Sequence, residues 1–277
     1  MSKILAIDNL VKGKVIKRPS ASCKTPYVAD VELEDGTIVL AHTTSLGCGG
    51  LVNAGSNVLM TKVDKVKNVC KFKVILSIVE ERGNIQYIGT DTSLPEQIVK
   101  KCLENNLIKS LNSIKSLKSQ TTFMNSRFDF AGIDENDNEF ILEVKHTPKA
   151  DYVDCLEKDR KKMDLSNYDY NDKISYFPDG YRKKVKDTIS PRALKHINEL
   201  SEIKKNSNKR TIICYVIQRT DVSSFQPSNI DPIYKEAVIN AVNNGVQILP
   251  LVIKWTKDGE CHFVKDDLKV NIIKNNV

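Results

Sequence analysis

The sequence predicts a small β-barrel followed by an α/β layer domain, with the change of character near residue 90. Three observations carry this. Residues 5 to about 90 hold five or six short apolar or alternating runs separated by turn formers, without a clear helix. Ser126–His146 reads as a β-hairpin, two apolar runs around a polar turn. The remainder alternates helical stretches with nearly continuous apolar runs, as expected of strands covered on both faces.

In the first part, Val28–Glu34 alternates Ala29, Val31 and Leu33 with Asp30, Glu32 and Glu34, which describes a half-buried strand. Asp35-Gly36 turns the chain into Thr37–His42. Leu10–Lys17, Ser56–Val63, Phe72–Val79 and Ile85–Gly89 supply the other strands. So many short strands suggest a barrel of the oligonucleotide-binding (OB) type, which serves equally as a structural or a binding module. The run Gly47-Cys-Gly-Gly50 matches no phosphate-cradling spacing, and tight turn geometry accounts for it.

Composition sets wide bounds. A chain of 277 residues is long enough for two domains with real cores. A net charge of +7 favours a polyanionic partner, although the excess is diffuse: residues 1–90 carry 12 Lys/Arg against 8 Asp/Glu. Seven cysteines without a Cys-x-x-Cys pair, and four scattered histidines, argue against a disulfide framework or a zinc site. Met1–Leu10 lacks the pattern of a signal peptide, and no run approaches the roughly 18 apolar residues of a membrane span. The expectation is a soluble, intracellular protein of a reducing compartment.

The second part opens at Ser93-Leu-Pro-Glu96, a capping box leading a helix that carries Ile98, Val99, Cys102, Leu103 and Leu107. Domains of 1–90 and 91–277 follow from a boundary just before it. Pro148–Asp187 is long, polar and charged, with basic runs Lys158–Lys162 and Arg182–Lys186; it is expected to be partly helical or mobile. Such runs are ordinarily solvated faces, with a nucleic-acid contact as the alternative. Ser190-Pro191 caps a helix with Leu194, Ile197, Leu200 and Ile203 inward. His196 falls at the edge of that face, either satisfied by a core neighbour or turned towards a ligand. Thr211–Ile217 is a strand, Asp231-Pro232 starts a helix that Gly245 stops, and Val246–Lys254 is a further strand.

The hairpin carries the chemistry. Its turn is Asp134-Glu-Asn-Asp-Asn138, between Phe128–Ile133 and Phe140–Val144. Alternation places Glu143 and Lys145 on one face and Val144 on the other, and simple register brings Asp129 near Glu143. Carboxylates so placed repel unless a cation joins them, and Mg²⁺-like ions take such oxygen ligands. A lysine beside them can orient or deprotonate a water. A Glu-x-Lys pair on an edge strand is ordinarily a solvated salt bridge of little worth. Here Phe140, Ile141, Leu142 and Val144 suggest a buried strand, where an unneeded charge is expensive.

Stretches along nearly the whole chain carry a family resemblance. They include Leu10–Arg18, Ala29–Leu33, Ala54–Leu59, Ser126-Arg-Phe-Asp129, Ile141-Leu-Glu-Val-Lys145 and Tyr176-Phe-Pro-Asp179. Further matches are Arg192 with Lys195-His196, Gln218-Arg219, Ile230–Tyr234 and Gly245–Leu249. By these the chain resembles a divergent member of the sugar fermentation stimulation protein A family. The resemblance implies an OB-like β-barrel fused to an α/β domain of the PD-(D/E)xK nuclease fold, DNA as partner, and in bacteria a part in regulating sugar (maltose) metabolism. It implies that Asp129 and Glu143, with the Val144 carbonyl, hold Mg²⁺ or Mn²⁺, and that Lys145 assists the attacking water. Arg127, Arg192, Lys195 and His196 then join Arg182, Lys183 and Lys184 of the basic run as nucleic-acid-binding candidates. Three departures stand out: Gln120 where the family often has an acid, Ser45-Leu-Gly47 for its Asn-Thr-Gly loop, and a longer segment after His146.

The reading that results is a DNA-binding protein with a nuclease-like, metal-dependent phosphodiesterase site. One alternative is a non-catalytic DNA-binding regulator with a relic metal site. The other is an RNA-binding module, disfavoured because the first part offers only Tyr27, Phe72 and Tyr87 for stacking.

Overall fold

The computed structural model describes residues 1–46, 48–63, 69–111, 113–180 and 187–272. They form two compact units. Met1–Leu94, Gln218–Thr220 and Ile253–Phe263 make the first; Pro95–Ile217, Asp221–Val252 and the chain from Val264 make the second.

The first unit contains strands β1 (Ser2–Ala6), β2 (Val11–Lys17), β3 (Val28–Leu33), β4 (Ile38–His42), β5 (Asn57–Lys62), β6 (Phe72–Glu81) and β7 (Asn84–Gly89). Strands β4-β3-β2-β5-β6 are joined in that order, and β4 also pairs with β6, closing five strands into a ring with β7 added beside β6. Closure leaves the five without free edges, as in an OB-like barrel. Val15, Val31, Ala41, Met60, Val74 and Ile88 fill the interior. Gly13 permits the close approach of β2 and β3, because a Cβ there would meet Val31 Cγ1 at 2.5 Å. Asp30 departs from simple alternation: it is buried, and its carboxylate accepts Ser20 Oγ at 2.5 Å and the Ala21 N–H at 2.8 Å.

The second unit follows with α1 (Leu94–Glu104), β8 (Ile114–Phe123), β9 (Ser126–Asp134), β10 (Glu139–Thr147), β11 (Ala150–Asp151), α2 (Glu157–Arg160) and β12 (Lys173–Phe177). Then come α3 (Pro191–Asn206), β13 (Arg210–Ile217), β14 (Val222–Pro227), α4 (Pro232–Asn243), β15 (Gln247–Trp255), which ends in the first unit, β16 (Glu260–Lys265), which lies mostly in the first unit, and β17 (Lys269–Val270). Strands β8, β9 and β10 form an antiparallel meander, continued by β13 and β15 parallel to β10. In the first unit β16 pairs with β1. One face of the meander's sheet packs on α3 and α4, with Ile197, Leu200, Tyr234 and Val238 in one core cluster with Phe128, Ile141, Ile213 and Tyr215. Each such side chain removed from water contributes about 1.5–3 kcal/mol. The helix, three-stranded meander, helix and parallel strand agree with the nuclease-like α/β domain that the resemblance implies.

Strand β8 is not legible in the sequence because it is polar and mostly accessible, so its apolar period is weak. The segment after His146 is partly helical, as expected, in α2, and it also supplies β11 and β12 to a second sheet, β11-β12-β14-β17. Lys173 shows how a charged stretch becomes core: Nζ pairs with Asp221 at 2.9 Å and lies over the rings of Tyr152 and Tyr170. A buried charge persists only with such partners. Among the described residues no helix is long and apolar enough to cross a membrane.

Candidate functional site

Hairpin β9–β10 is held by its turn. Asp134 accepts the N–H groups of Asn136 and Asn138 and is bridged by Arg210 Nη1 at 3.0 Å. Register runs from Glu139 opposite Ile133 to Leu142 opposite Phe130, which brings Glu143 beside Asp129. There the side chain takes over from the main-chain ladder: Asp129 Oδ2 accepts the Val144 N–H at 2.8 Å. Burial pushes the Asp129 carboxyl up to about 6, reinforced by the neighbouring Glu143 and opposed by the Val144 bond and by Lys145.

Glu143 is only 2 % exposed. Its Oε1 accepts Lys145 Nζ at 2.5 Å and meets His196 Nδ1 at 2.5 Å. An ionised carboxylate can only accept, so the His196 tautomer that fits carries its proton on Nδ1. Burial raises the Glu143 pKa, but the His196 bond and Lys145 more than offset it, and the group lies below its ordinary value. Both donors engage the same oxygen. Among the described residues Glu143 Oε2 is buried without a hydrogen-bond partner, which is costly unless a ligand supplies one.

Asp129, Glu143, Val144 and Lys145 line one cavity of about 210 Å³, together with Ser190 and Arg192. Ser190 is the N-cap of α3, its Oγ accepting the Ala193 N–H at 3.3 Å. The first turn of α3 therefore borders the cavity, where the helix dipole favours an anion. Arg192 is exposed there. His196 is not on the wall; it is 4 % exposed and supports Glu143 from behind, its ring 5.6 Å from that of Phe128. Lys195 is exposed, with Nζ donating to the Asn125 carbonyl at 2.7 Å, and Arg127 is exposed on β9. Arg182, Lys183 and Lys184 lie outside the described residues.

One residue belongs to this neighbourhood that the sequence reading did not assign to it, Glu96, which meets the site through Gln120. Glu96 reads as the far half of a capping box. Instead Asp91 Oδ1 accepts both the Ser93 N–H and its hydroxyl, at 3.0 and 2.8 Å. Glu96 Oε1 accepts Gln120 Nε2 at 2.7 Å, and the same amide reaches Asp129 Oδ1 at 3.3 Å. The departure at Gln120 marked that position; nothing local marked Glu96.

Whether these residues suit a divalent cation turns on their donors. Among the described residues no group of three His, Cys, Asp or Glu is arranged to hold an ion. Two carboxylates remain, one with a buried oxygen unsatisfied among the described residues, on a cavity that Val144 also lines. That set fits a hard ion whose remaining ligands are water or phosphate oxygens.

The family model described as "Sugar fermentation stimulation protein RE domain" matches residues 93–155 and 161–259. The sugar fermentation stimulation protein homolog of Alteromonas mediterranea is 30% identical over 245 residues, covering 87% of this chain and 89% of that protein. The homolog of Crocosphaera subtropica is 29% identical over 250 residues, covering 88% and 90%. Among solved structures, Pyrococcus furiosus SfsA in complex with Ca²⁺ superposes with a TM-score of 0.73 at 21% identity, over 98% of this chain and all of that one.

Proposed function

Because the chain belongs to the sugar fermentation stimulation protein family, we propose that it binds DNA and that its α/β unit carries a nuclease-like, metal-dependent phosphodiesterase site. The observation that carries this reading is the buried Oε2 of Glu143, unpartnered among the described residues, on a cavity shared with Asp129 and Lys145. Asp129, Glu143 and the Val144 carbonyl are the residues that would hold Mg²⁺ or Mn²⁺. The Ca²⁺ of the Pyrococcus furiosus protein is of the same hard, oxygen-liganded class. When bound, such an ion polarises a scissile phosphate and acidifies water.

The chain's own groups do the rest. Arg192 and the first turn of α3 orient a phosphate over the cavity. His196 and Lys145 hold Glu143 ionised, with one oxygen engaged and one left for a ligand. The Lys145 ammonium, on the cavity wall, stabilises negative charge developing on the phosphate and donates a hydrogen bond that orients water there. Phosphate contacts of this kind bind backbone rather than sequence.

The test is a Mn²⁺-dependent cleavage assay on circular and linear DNA. Lys145→Ala should cut cleavage by roughly 100-fold or more, the scale of one charge-stabilising donor, while Mn²⁺ still binds. Cleavage that survives Lys145→Ala would remove the assigned role. Gln120 favours a second reading, a regulator that holds an ion and DNA without cutting, since a neutral amide stands where a carboxylate would strengthen the site. Mn²⁺ binding with no cleavage by the wild type is the result that selects it.

A further inference from the structure

Gln120 stands opposite Asp129 in the β8–β9 pair, between Ser119 opposite Phe130 and Thr121 opposite Phe128. Its backbone is left-handed, at φ 55°. That is an unfavourable conformation for a residue with a Cβ, and one that persists only where the surroundings demand it. Here the side chain lies between two carboxylates, Nε2 donating to Glu96 Oε1 at 2.7 Å and reaching Asp129 Oδ1 at 3.3 Å. Only the NH₂ end of an amide can face two carboxylates, so its orientation follows from chemistry. Two acids with one donor between them is the arrangement a cation ordinarily fills. The amide supplies the hydrogen bonds without the charge.

We infer that the Gln120 amide occupies a second cation position of this site, between Glu96 and Asp129, so that the chain takes one divalent ion and excludes another. The inference rests on the proposed metal reading, because Asp129 belongs to both positions and the unsatisfied Glu143 oxygen marks the first. Gln120 is thus a specificity-determining residue and Glu96 the unassigned ligand of the closed position. A carboxylate at 120 would place three acids around the point where the amide now sits. Divalent ions take oxygen donors of that kind, and more anionic ligands bind them more tightly.

Stoichiometry separates the outcomes. Mn²⁺ bound per full-length chain is counted by titration calorimetry and by the loss of free-ion paramagnetic signal. The wild type, Gln120→Glu, and Gln120→Glu combined with Glu96→Gln are compared. The expected counts are one, two and one. A Mn²⁺-induced rise in melting temperature should be larger for Gln120→Glu than for the wild type. Gln120→Ala, which opens the position without adding charge, checks that folding survives loss of the amide. Two ions on the wild type, or one on both the wild type and a folded Gln120→Glu, overturns the inference and leaves the metal site standing. No Mn²⁺ on either protein overturns both. Binding to Gln120→Glu alone keeps the blocking role of the amide and removes the wild-type metal site.

Discussion

The Val144 N–H donates to Asp129 Oδ2 at 2.8 Å at the point where main-chain pairing of β9 with β10 has ended. The first carboxylate is thereby fastened to the strand that carries the second. It stays beside Glu143 in spite of like charge, and its pKa rises to about 6, first through burial and then through Glu143.

That shift predicts a pH dependence. Asp129 is harder to ionise folded than unfolded, so stability is full below its unfolded pKa and falls as pH rises through about 6. Asparagine keeps an acceptor for Val144 without the charge. With a chelator present, Asp129→Asn should be about 1–3 kcal/mol more stable than wild type at pH 8, the gap closing towards pH 4. Urea unfolding at pH 4, 6 and 8 measures it; a pH-independent gap would contradict the assignment.

Metal reverses the balance. Mn²⁺ at 100 times its dissociation constant should stabilise the wild type by about 2.7 kcal/mol, as any ligand of the native state does. Asp129→Asn should lose most of that gain. A gain undiminished in the variant would place the ion elsewhere.

His196→Ala deletes a buried donor to Glu143 and leaves a gap beside Phe128. A cost of about 2–4 kcal/mol is expected at pH 7, with part regained by His196→Asn, whose amide can also donate. Denaturant midpoints decide it: equal midpoints for wild type and His196→Ala would show that the bond contributes nothing.

DNA affinity should fall steeply with salt through counterion release. Replacing Arg192 or Lys195 by alanine should reduce the log–log slope by about 1 per lost phosphate contact, equally for unrelated sequences. Fluorescence anisotropy from 50 to 200 mM salt tests this. A flat salt response would remove the electrostatic basis of binding.

What the sequence determined by itself lies within a few residues along the chain. Alternation with a period of two put Glu143 and Lys145 on one face, and they meet at 2.5 Å. The Asp134–Asn138 turn set the register that brings Asp129 alongside, and Ser190-Pro191 and Asp231-Pro232 marked two helix starts that are realised as N-caps. Tertiary structure alone decided the rest. Glu96, Gln120 and His196 come from α1, β8 and α3, and no local periodicity links residues so far apart. A Ser-x-x-Glu pattern reads the same whether its glutamate caps a helix or reaches another strand; here Asp91 takes the capping bond and Glu96 goes to Gln120. Charge was misleading for the same reason. Lys173 lies in a stretch that reads as solvated, yet it is core because Asp221 and two tyrosine rings are packed around it. Local chemistry fixes which way a side chain points, and only the packing of distant elements fixes what it finds there.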